Sequence, residues 1–209
     1  MKVSNDGEDG SLVASDSTVK MTRENEHLEQ LDRLDDEELT LIFVGDKQAF
    51  VVLYRRYVAR VYSYFAWRFG QNHAEDLTAD VFTRALAARS GFKQGKMWRP
   101  WMFGIARNRA LEHFRYLKRG GSDPEFEESH VREFVADVSV EVEIGEEAEA
   151  VRQLVASLPD GQREAVELRF WAGLSYREIS EVLGGSEGAL RVQLHRTLRG
   201  LRDRLDGAK

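Results

Sequence analysis

From Ser175 to Leu205 apolar positions recur three and four residues apart, and the recurrence breaks once. Ile179, Val182 and Leu183 mark one side of a first segment; Leu190, Leu194, Leu198, Leu201 and Leu205 mark one side of a second. Both stripes predict amphipathic helices. Ser175 followed by Glu178 has the capping-box spacing that starts a helix. Gly184-Gly185 stops the first helix, because glycine takes the left-handed conformation a helix end needs, and Ser186 can cap the second. Arg191, Arg196, Arg199 and Arg202 fall off the apolar stripe. Two helices joined by a short glycine turn are the helix-turn-helix pattern, whose second helix enters a DNA major groove. A plain helical hairpin with a solvated basic face would give the same local pattern.

Upstream, residues 1–34 hold few large apolar side chains and no sustained period, which predicts an acidic, disordered tail. Met21 offers an alternative start. From Asp35 to about Phe69 the spacing is helical: Leu39, Ile42 and Phe43, then Phe50, Leu53, Tyr54, Tyr57, Val61, Tyr64 and Phe65. Gly45-Asp46 separates two helices there and Gly70 ends the second. In HAEDLTADVFTRALAARS, Leu77, Val81, Ala85 and Leu86 form a buried side, with Asp76, Asp80 and Arg84 close together on the opposite one. A loop, GFKQGKMWRP, precedes a helix from about Trp101 to Arg119, with Pro100 suited to its first turn. Residues 120–149 open on GGSDPEFEES and read as a linker. Val138, Val140, Val142 and Ile144 alternate with polar residues, but one isolated strand has nothing to pair with. Leu154, Leu158, Val166, Leu168 and Trp171 supply helices that pack under the helix-turn-helix. The expectation is an all-α fold. Two small helical domains, 35–119 and 150–209, are joined by a flexible acidic linker at 120–149, and the second contains the helix-turn-helix.

Charge changes this picture more than composition does. The net charge of -6 argues against a polyanionic partner until it is divided along the chain. Residues 1–38 carry 12 acidic and 4 basic side chains, and residues 120–149 carry 11 and 1. Residues 39–119 carry 5 acidic and 15 basic side chains, and residues 150–209 carry 8 and 10. Two acidic segments therefore mask two basic modules, a distribution that points to nucleic-acid contact. The chain has no cysteine, which excludes disulfides and thiolate metal sites and fits a reducing, cytoplasmic setting. No apolar run is long enough to span a bilayer, and the polar, acidic N-terminus is unlike a signal peptide. The five histidines (His27, His73, His113, His130, His195) lack metal-ligand spacing, and there is neither a glycine-rich phosphate loop nor a nucleophile motif. The expectation is a protein that is not an enzyme, with no catalytic residues, metal or cofactor. Asp76 and Asp80 share a face like a metal pair, but without further ligands a docking face is the better reading.

DKQAFVVLYRRYVARVYSYFAWRFG, AEDLTADVFTRAL and WMFGIARNRALEHFR, in that order, resemble the core module of bacterial extracytoplasmic-function sigma factors. LPDGQREAVELRFWAGLSYREISEVLGGSEGALRVQLHRTLRGLRDRL is similar to their second module. The resemblance covers residues 35–119 and 150–206, about two thirds of the chain. It implies a dissociable subunit that binds core RNA polymerase, recognises two promoter elements and helps to melt one of them, so that it meets both duplex DNA and a melted single strand. It also implies an anti-sigma factor as partner. A stand-alone helix-turn-helix regulator is the alternative, though it leaves residues 35–119 without a role.

The resemblance assigns roles by position. Asp76, Leu77, Asp80, Phe82 and Arg84 would face polymerase, the charges steering and the apolar pair serving as anchors or as core. Lys93, Gln94, Lys96 and Trp98 would meet the minus-ten element through phosphate contacts, base edges and stacking. Arg107, Arg115 and Lys118 would follow its backbone. Asn108 would read a base or satisfy a buried backbone group. Ser186, Glu187, Gly188, Leu190, Arg191, Gln193 and Arg196 would meet the minus-thirty-five element, with Arg191 suited to guanine and Gln193 to adenine. Val192 and Gln193 depart from a frequent family pattern of a small polar residue followed by a basic one, so the promoter sequence does not transfer. The acidic linker would occupy channels built for nucleic acid or serve as a solubilising spacer.

Overall fold

The computed structural model describes residues 16–120 and 146–207, and its regular elements there are all helical. They are α1 (Asp16–Asp32), α2 (Asp36–Ile42), α3 (Lys47–Phe69), α4 (Gln71–Ala88), a 3-10 turn (Arg89–Gly91), α5 (Trp98–Lys118), α6 (Glu146–Ala156), α7 (Asp160–Phe170), α8 (Tyr176–Leu183) and α9 (Glu187–Asp206). Most of the expected linker, with the Val138–Ile144 alternation, lies outside the described residues, as do residues 1–15.

The first module is organised around α3, which is apolar on more than one side: Phe50, Leu53, Tyr57, Val61, Tyr64 and Phe65 are all buried. A helix of that kind must be surrounded. Accordingly α1, α2, α4 and α5 all pack on it. Asp46 caps its start, accepting from the Gln48 amide at 2.8 Å. Gly70, at φ 85°, is the single residue between α3 and α4, a conformation that side chains other than hydrogen rarely adopt. α2 starts with a capping box between Asp35 and Glu38.

Disorder across residues 1–34 is not what the structure shows from Asp16 onward. Asp16–Asp32 is helical, with Met21 inside it; Leu31 is buried and Leu28 packs against the core. Two leucines are too little to hold a helix by burial alone. The remainder comes from α3. The Arg56 guanidinium donates to the Asp32 and Leu34 carbonyls at 2.8 and 2.7 Å, capping the helix end, and to the Asp36 carboxylate at 2.9 Å. His27 reaches the Asp46 carboxylate at 2.7 Å.

The second module stacks α6 and α7 beneath α8 and α9, with Leu168, Leu174, Ile179, Leu190 and Leu194 buried. These side chains belong to the same continuous apolar cluster as the core around α3. The two modules thus pack directly on one another, chiefly α5 against α8.

Candidate functional site

The helix-turn-helix forms as its caps dictate. The Glu178 amide donates to Ser175 Oγ at 3.3 Å and the Ser175 amide to Glu178 Oε2 at 2.7 Å, which fixes the start of α8. Gly184 and Gly185, at φ 81° and 94°, make the turn. Ser186 then accepts from the Ala189 amide at 3.2 Å and starts α9. Arg191, Arg196, Arg199 and Arg202 are all exposed. Glu187 and Gly188 are exposed beside them, and Gln193 is half-buried. Val192 is 51% exposed, so a branched apolar side chain stands among the cations. Leu190 is a correction to the expected contact set. It is buried beside Leu194, because its position lies on the apolar stripe that α9 turns toward the core. Arg191 is held locally: its guanidinium meets Glu187 Oε1 at 2.8 Å and lies 5.3 Å from the centroid of the Tyr176 ring. Beside these residues a cleft of about 780 Å³ runs between the start of α7 and α9, lined by Leu158, Gln162, Ala189, Val192 and Arg196 among others.

The loop between α4 and α5 is pinned at both ends by aromatic rings. Phe92 meets Phe43 edge-on at 5.2 Å and Trp101 at 5.1 Å. Trp98 is 2% exposed, packed edge-on against Phe43 at 5.5 Å and Phe50 at 6.0 Å. Trp98 is therefore an anchor of the loop, not a surface for stacking on bases. Its ring fills the space where α2, α3 and α5 converge, and Trp101, half-buried, completes the cluster. Between the anchors Lys93, Gln94 and Lys96 are exposed.

Along α5, Asn108, Arg115 and Lys118 are exposed, with Lys118 Nζ 4.7 Å from the centroid of the Phe114 ring. Exposure of Asn108 removes the reading in which it satisfies a buried backbone group. Arg107 departs from the expected row. It donates to Glu164 Oε2 of α7 through Nε at 3.0 Å and Nη2 at 2.9 Å. In this arrangement the second module, not solvent, neutralises it.

On α4, Arg84 is exposed and Asp76 half-buried. Leu77 and Phe82 are buried in the core, and Phe82 faces α3, against Tyr54 at 4.7 Å and Phe50 at 6.4 Å. Asp80 lies between two guanidiniums, Arg84 on its own helix at 3.1 Å and Arg109 of α5. Its first duty is to join α4 to α5. Arg84 also reaches Glu112 at 2.9 Å.

Sequence reasoning missed one set of residues altogether. Glu164, Glu167 and Glu178 of the second module are buried, and each pairs with an arginine of the first. Arg107 meets Glu164 at 2.9 Å, Arg68 meets Glu167 at 2.8 Å and Arg99 meets Glu178 at 3.1 Å. Arg99 also donates to the Gly173 carbonyl, and Arg152 to the Ala66 carbonyl at 3.1 Å. Trp67 stacks on Trp171 with ring centroids 3.8 Å apart. Burial pushes the Glu167 carboxyl up to about 7, against the opposing pull of Arg68 and Arg163. One signal was present: Glu164 and Glu167 share a helical face with Leu168 and so sit inside an apolar stripe.

Among the described residues no group of three or more His, Asp or Glu side chains is arranged to hold a metal ion. No described helix is long and apolar enough to cross a membrane.

Comparison with known proteins gives two family matches: "Sigma-70 region 2" over residues 53–120 and "Sigma-70, region 4" over residues 148–201. The chain is 35% identical over 163 residues to the ECF RNA polymerase sigma factor BldN of Streptomyces coelicolor, covering 75% of this chain and 60% of that protein. It is 31% identical over 148 residues to the ECF RNA polymerase sigma factor SigF of Caulobacter vibrioides, covering 70% of this chain and 79% of that protein. A solved structure of the sigma factor RpoE in complex with the anti-sigma factor NepR, from Bartonella quintana, shares the fold with a TM-score of 0.52 at 20% identity. That match covers 77% of this chain and 96% of the other.

Proposed function

This chain belongs to the extracytoplasmic-function family of RNA polymerase sigma factors, and from that premise we propose that it binds core RNA polymerase and directs initiation at promoters it reads at two points. The observation that carries the reading is the pairing of two cation-bearing elements on one chain. One is α9 behind its glycine turn, with Arg191, Arg196, Arg199 and Arg202 exposed. The other is the pinned loop with Lys93, Gln94 and Lys96 exposed, followed by Asn108, Arg115 and Lys118 on α5.

The chemistry fits each role. A recognition helix in the major groove discriminates bases through bidentate side chains, and Arg191 can offer a guanidinium fork to guanine O6 and N7. Gln193 suits adenine, and Val192 suits a thymine methyl. The free amides at the start of α9, with Ser186 and Gly188, suit a phosphate; Glu187 must turn away from it and keep to Arg191. On the first module, a cationic loop held rigid by buried aromatics suits a strand whose bases have left the stack. Arg196, Arg115 and Lys118 then track backbone. Asp76 and Arg84 give α4 a charged rim for docking on polymerase, with Asp80 fixing the helix beneath it. An anti-sigma factor, the class of partner held by the Bartonella protein, completes the reading: it would mask these surfaces. A stand-alone regulator is not favoured, since the region 2 match over residues 53–120 would then have no role.

The test is run-off transcription with purified chain, core polymerase and an unbiased library of genomic fragments. Specific transcripts that depend on the chain are expected. Absence of both transcript and polymerase binding would overturn the proposal. Asp76→Lys is expected to weaken polymerase binding by more than any shift in its thermal melt accounts for, with both measured on the same protein.

A further inference from the structure

We propose that Tyr176 is a positioning residue of the recognition helix: its ring, fixed at the start of α8, holds the Arg191 guanidinium in place before DNA arrives and so sharpens the choice of base that Arg191 makes. The inference deepens the reading of Arg191 as a base contact and rests on it.

Tyr176 is the first residue of α8, and three restraints fix its ring there. The Ser175–Glu178 capping box sets the backbone on either side of it. The ring is half-buried and packs against the apolar cluster that contains Ile179 and Leu190. Arg169, from the last turn of α7, lies over the ring at 5.1 Å from its centroid. Arg169 is itself tied down, since its Nη1 donates to the Leu174 carbonyl at 2.8 Å.

Arg191 of α9 lies over the same ring at 5.3 Å. Its other restraint is Glu187, whose Oε1 accepts from Nη2 at 2.8 Å. That bond uses one of the two Nη2 hydrogens. The second Nη2 hydrogen and both on Nη1 remain for a base. Contact with a ring face restrains the guanidinium without an acceptor competing for those hydrogens.

The Arg191 side chain is 63% exposed. Ordering so free a side chain on binding costs affinity, and an exposed pair with Glu187 is a weak restraint by itself. With the ring as a second restraint, part of that ordering is done when α8 folds. The benefit appears only where Arg191 has a guanine to meet, because no other base offers O6 and N7 together. Affinity for the matching element therefore rises while affinity for the others does not, and position becomes discrimination. A phenol oxygen near DNA could instead bond a phosphate, which would strengthen binding to all sequences alike. Phenylalanine separates the two roles, because it keeps the ring face and loses the oxygen.

The full-length chain is tested with core polymerase on promoters recovered by run-off from genomic fragments, with the upstream element substituted one base pair at a time. Tyr176→Ala is expected to weaken binding to the intact element roughly three- to tenfold. It is expected to leave binding unchanged where the guanine met by Arg191 has been exchanged, so that discrimination falls by the same factor. Tyr176→Phe is expected to keep the discrimination of the wild type. In an Arg191→Ala background, Tyr176→Ala is expected to add nothing at that base pair. Tyr176→Leu keeps apolar packing without a ring face and serves if the alanine variant fails to fold. A loss in Tyr176→Phe equal to that in Tyr176→Ala, or one spread evenly over all elements, overturns the inference in favour of a phosphate contact. An equal loss with and without Arg191 overturns it in favour of a general effect on α8.

A second measurement needs no promoter. The Arg191 Nε–H resonance of the free chain is assigned by its disappearance in Arg191→Ala. Tyr176→Ala is expected to shift that resonance and raise its mobility, and Tyr176→Phe to leave both as they are. Unchanged mobility in Tyr176→Ala overturns the positioning. The two proposals thus fail separately. If Arg191→Ala keeps full discrimination while the resonance behaves as described, the assigned base contact has failed and the positioning stands. If Arg191→Ala loses discrimination and Tyr176→Ala changes neither signal, the positioning has failed and the base contact stands.

Discussion

The helices α5 and α9 both carry rows of cations, but they answer to different neighbours. On α9 the arginines' ion pairs among the described residues stay within the helix: Arg191 touches Glu187 four residues away, and Arg202 approaches Asp206 at 3.8 Å. On α5, Arg107 and Arg99 end on carboxylates 57 and 79 residues distant. A cation with a local partner on a solvated helix loses little when it turns to a phosphate, since exposed pairs are worth a fraction of a kcal/mol. A cation held across a buried joint must first break that joint. The two halves of a promoter reader thus start from unequal readiness, α9 presented and part of α5 withheld.

The largest expected effect distinguishes the scaffolds beneath the two cationic elements. Trp98→Ala removes the ring that pins the loop and should cost about 3–5 kcal/mol of stability, read by chemical denaturation. Leu194→Ala under α9 should cost about 2–5 kcal/mol. If Trp98→Ala were instead neutral for stability while abolishing promoter melting, the ring would belong to DNA and the description of the loop would be wrong.

Next comes pH, which acts on the joint through Glu167. Glu167 has a folded pKa of about 7 against an ordinary 4.5, so between those values the folded chain keeps a proton that the unfolded chain has lost. Unfolding free energy therefore falls as pH rises through that window, by on the order of 3 kcal/mol, and the loss is complete above about 7. Melts of the wild type across this range should show the slope, and Glu167→Gln should flatten it. A wild-type stability that stayed level with pH over the same range would show that Arg68 holds the carboxylate ionised throughout.

Smaller effects sharpen the reading of α9. Arg191→Ala should weaken use of the upstream element by about 1–3 kcal/mol, the scale of one bidentate base contact. Equal transcription by the wild type from intact and scrambled upstream elements would remove that assignment. Ser186→Ala should cost about 1 kcal/mol by removing the cap on α9, measured as a shift in denaturation midpoint. The loss would be visible in stability before any change in DNA preference.

What was legible in the sequence follows the same division between local and distant partners. Ser175 with Glu178, the Gly184-Gly185 turn and Ser186 all act within a few residues of themselves, and each forms as its spacing indicates. The helices of the first module were equally readable from period, because burial on α3 and α4 repeats with the helical turn. The misses are contacts made at a distance. Residues 16–32 look too polar to fold, and they are held by Arg56, whose bond to the Asp32 carbonyl spans 24 residues of chain. Trp98 looks like a surface ring beside lysines, and it is buried because Phe43 and Phe50 arrive from other helices. Glu164 and Glu167 share a helical face with Leu168, which hints at burial, but the arginines that pair with them come from the first module and only the packing of α7 against it brings them together.

The stacked pair Trp67 and Trp171 gives the protein an optical signature of its own. The chain has four tryptophans, and these two lie 3.8 Å apart with planes inclined by 20°, one from each module. Indole transition dipoles at that separation couple, so the chain should show an exciton couplet in its circular dichroism that vanishes when the rings part. The unlabelled, unmodified protein would then report in real time any separation of the two rings.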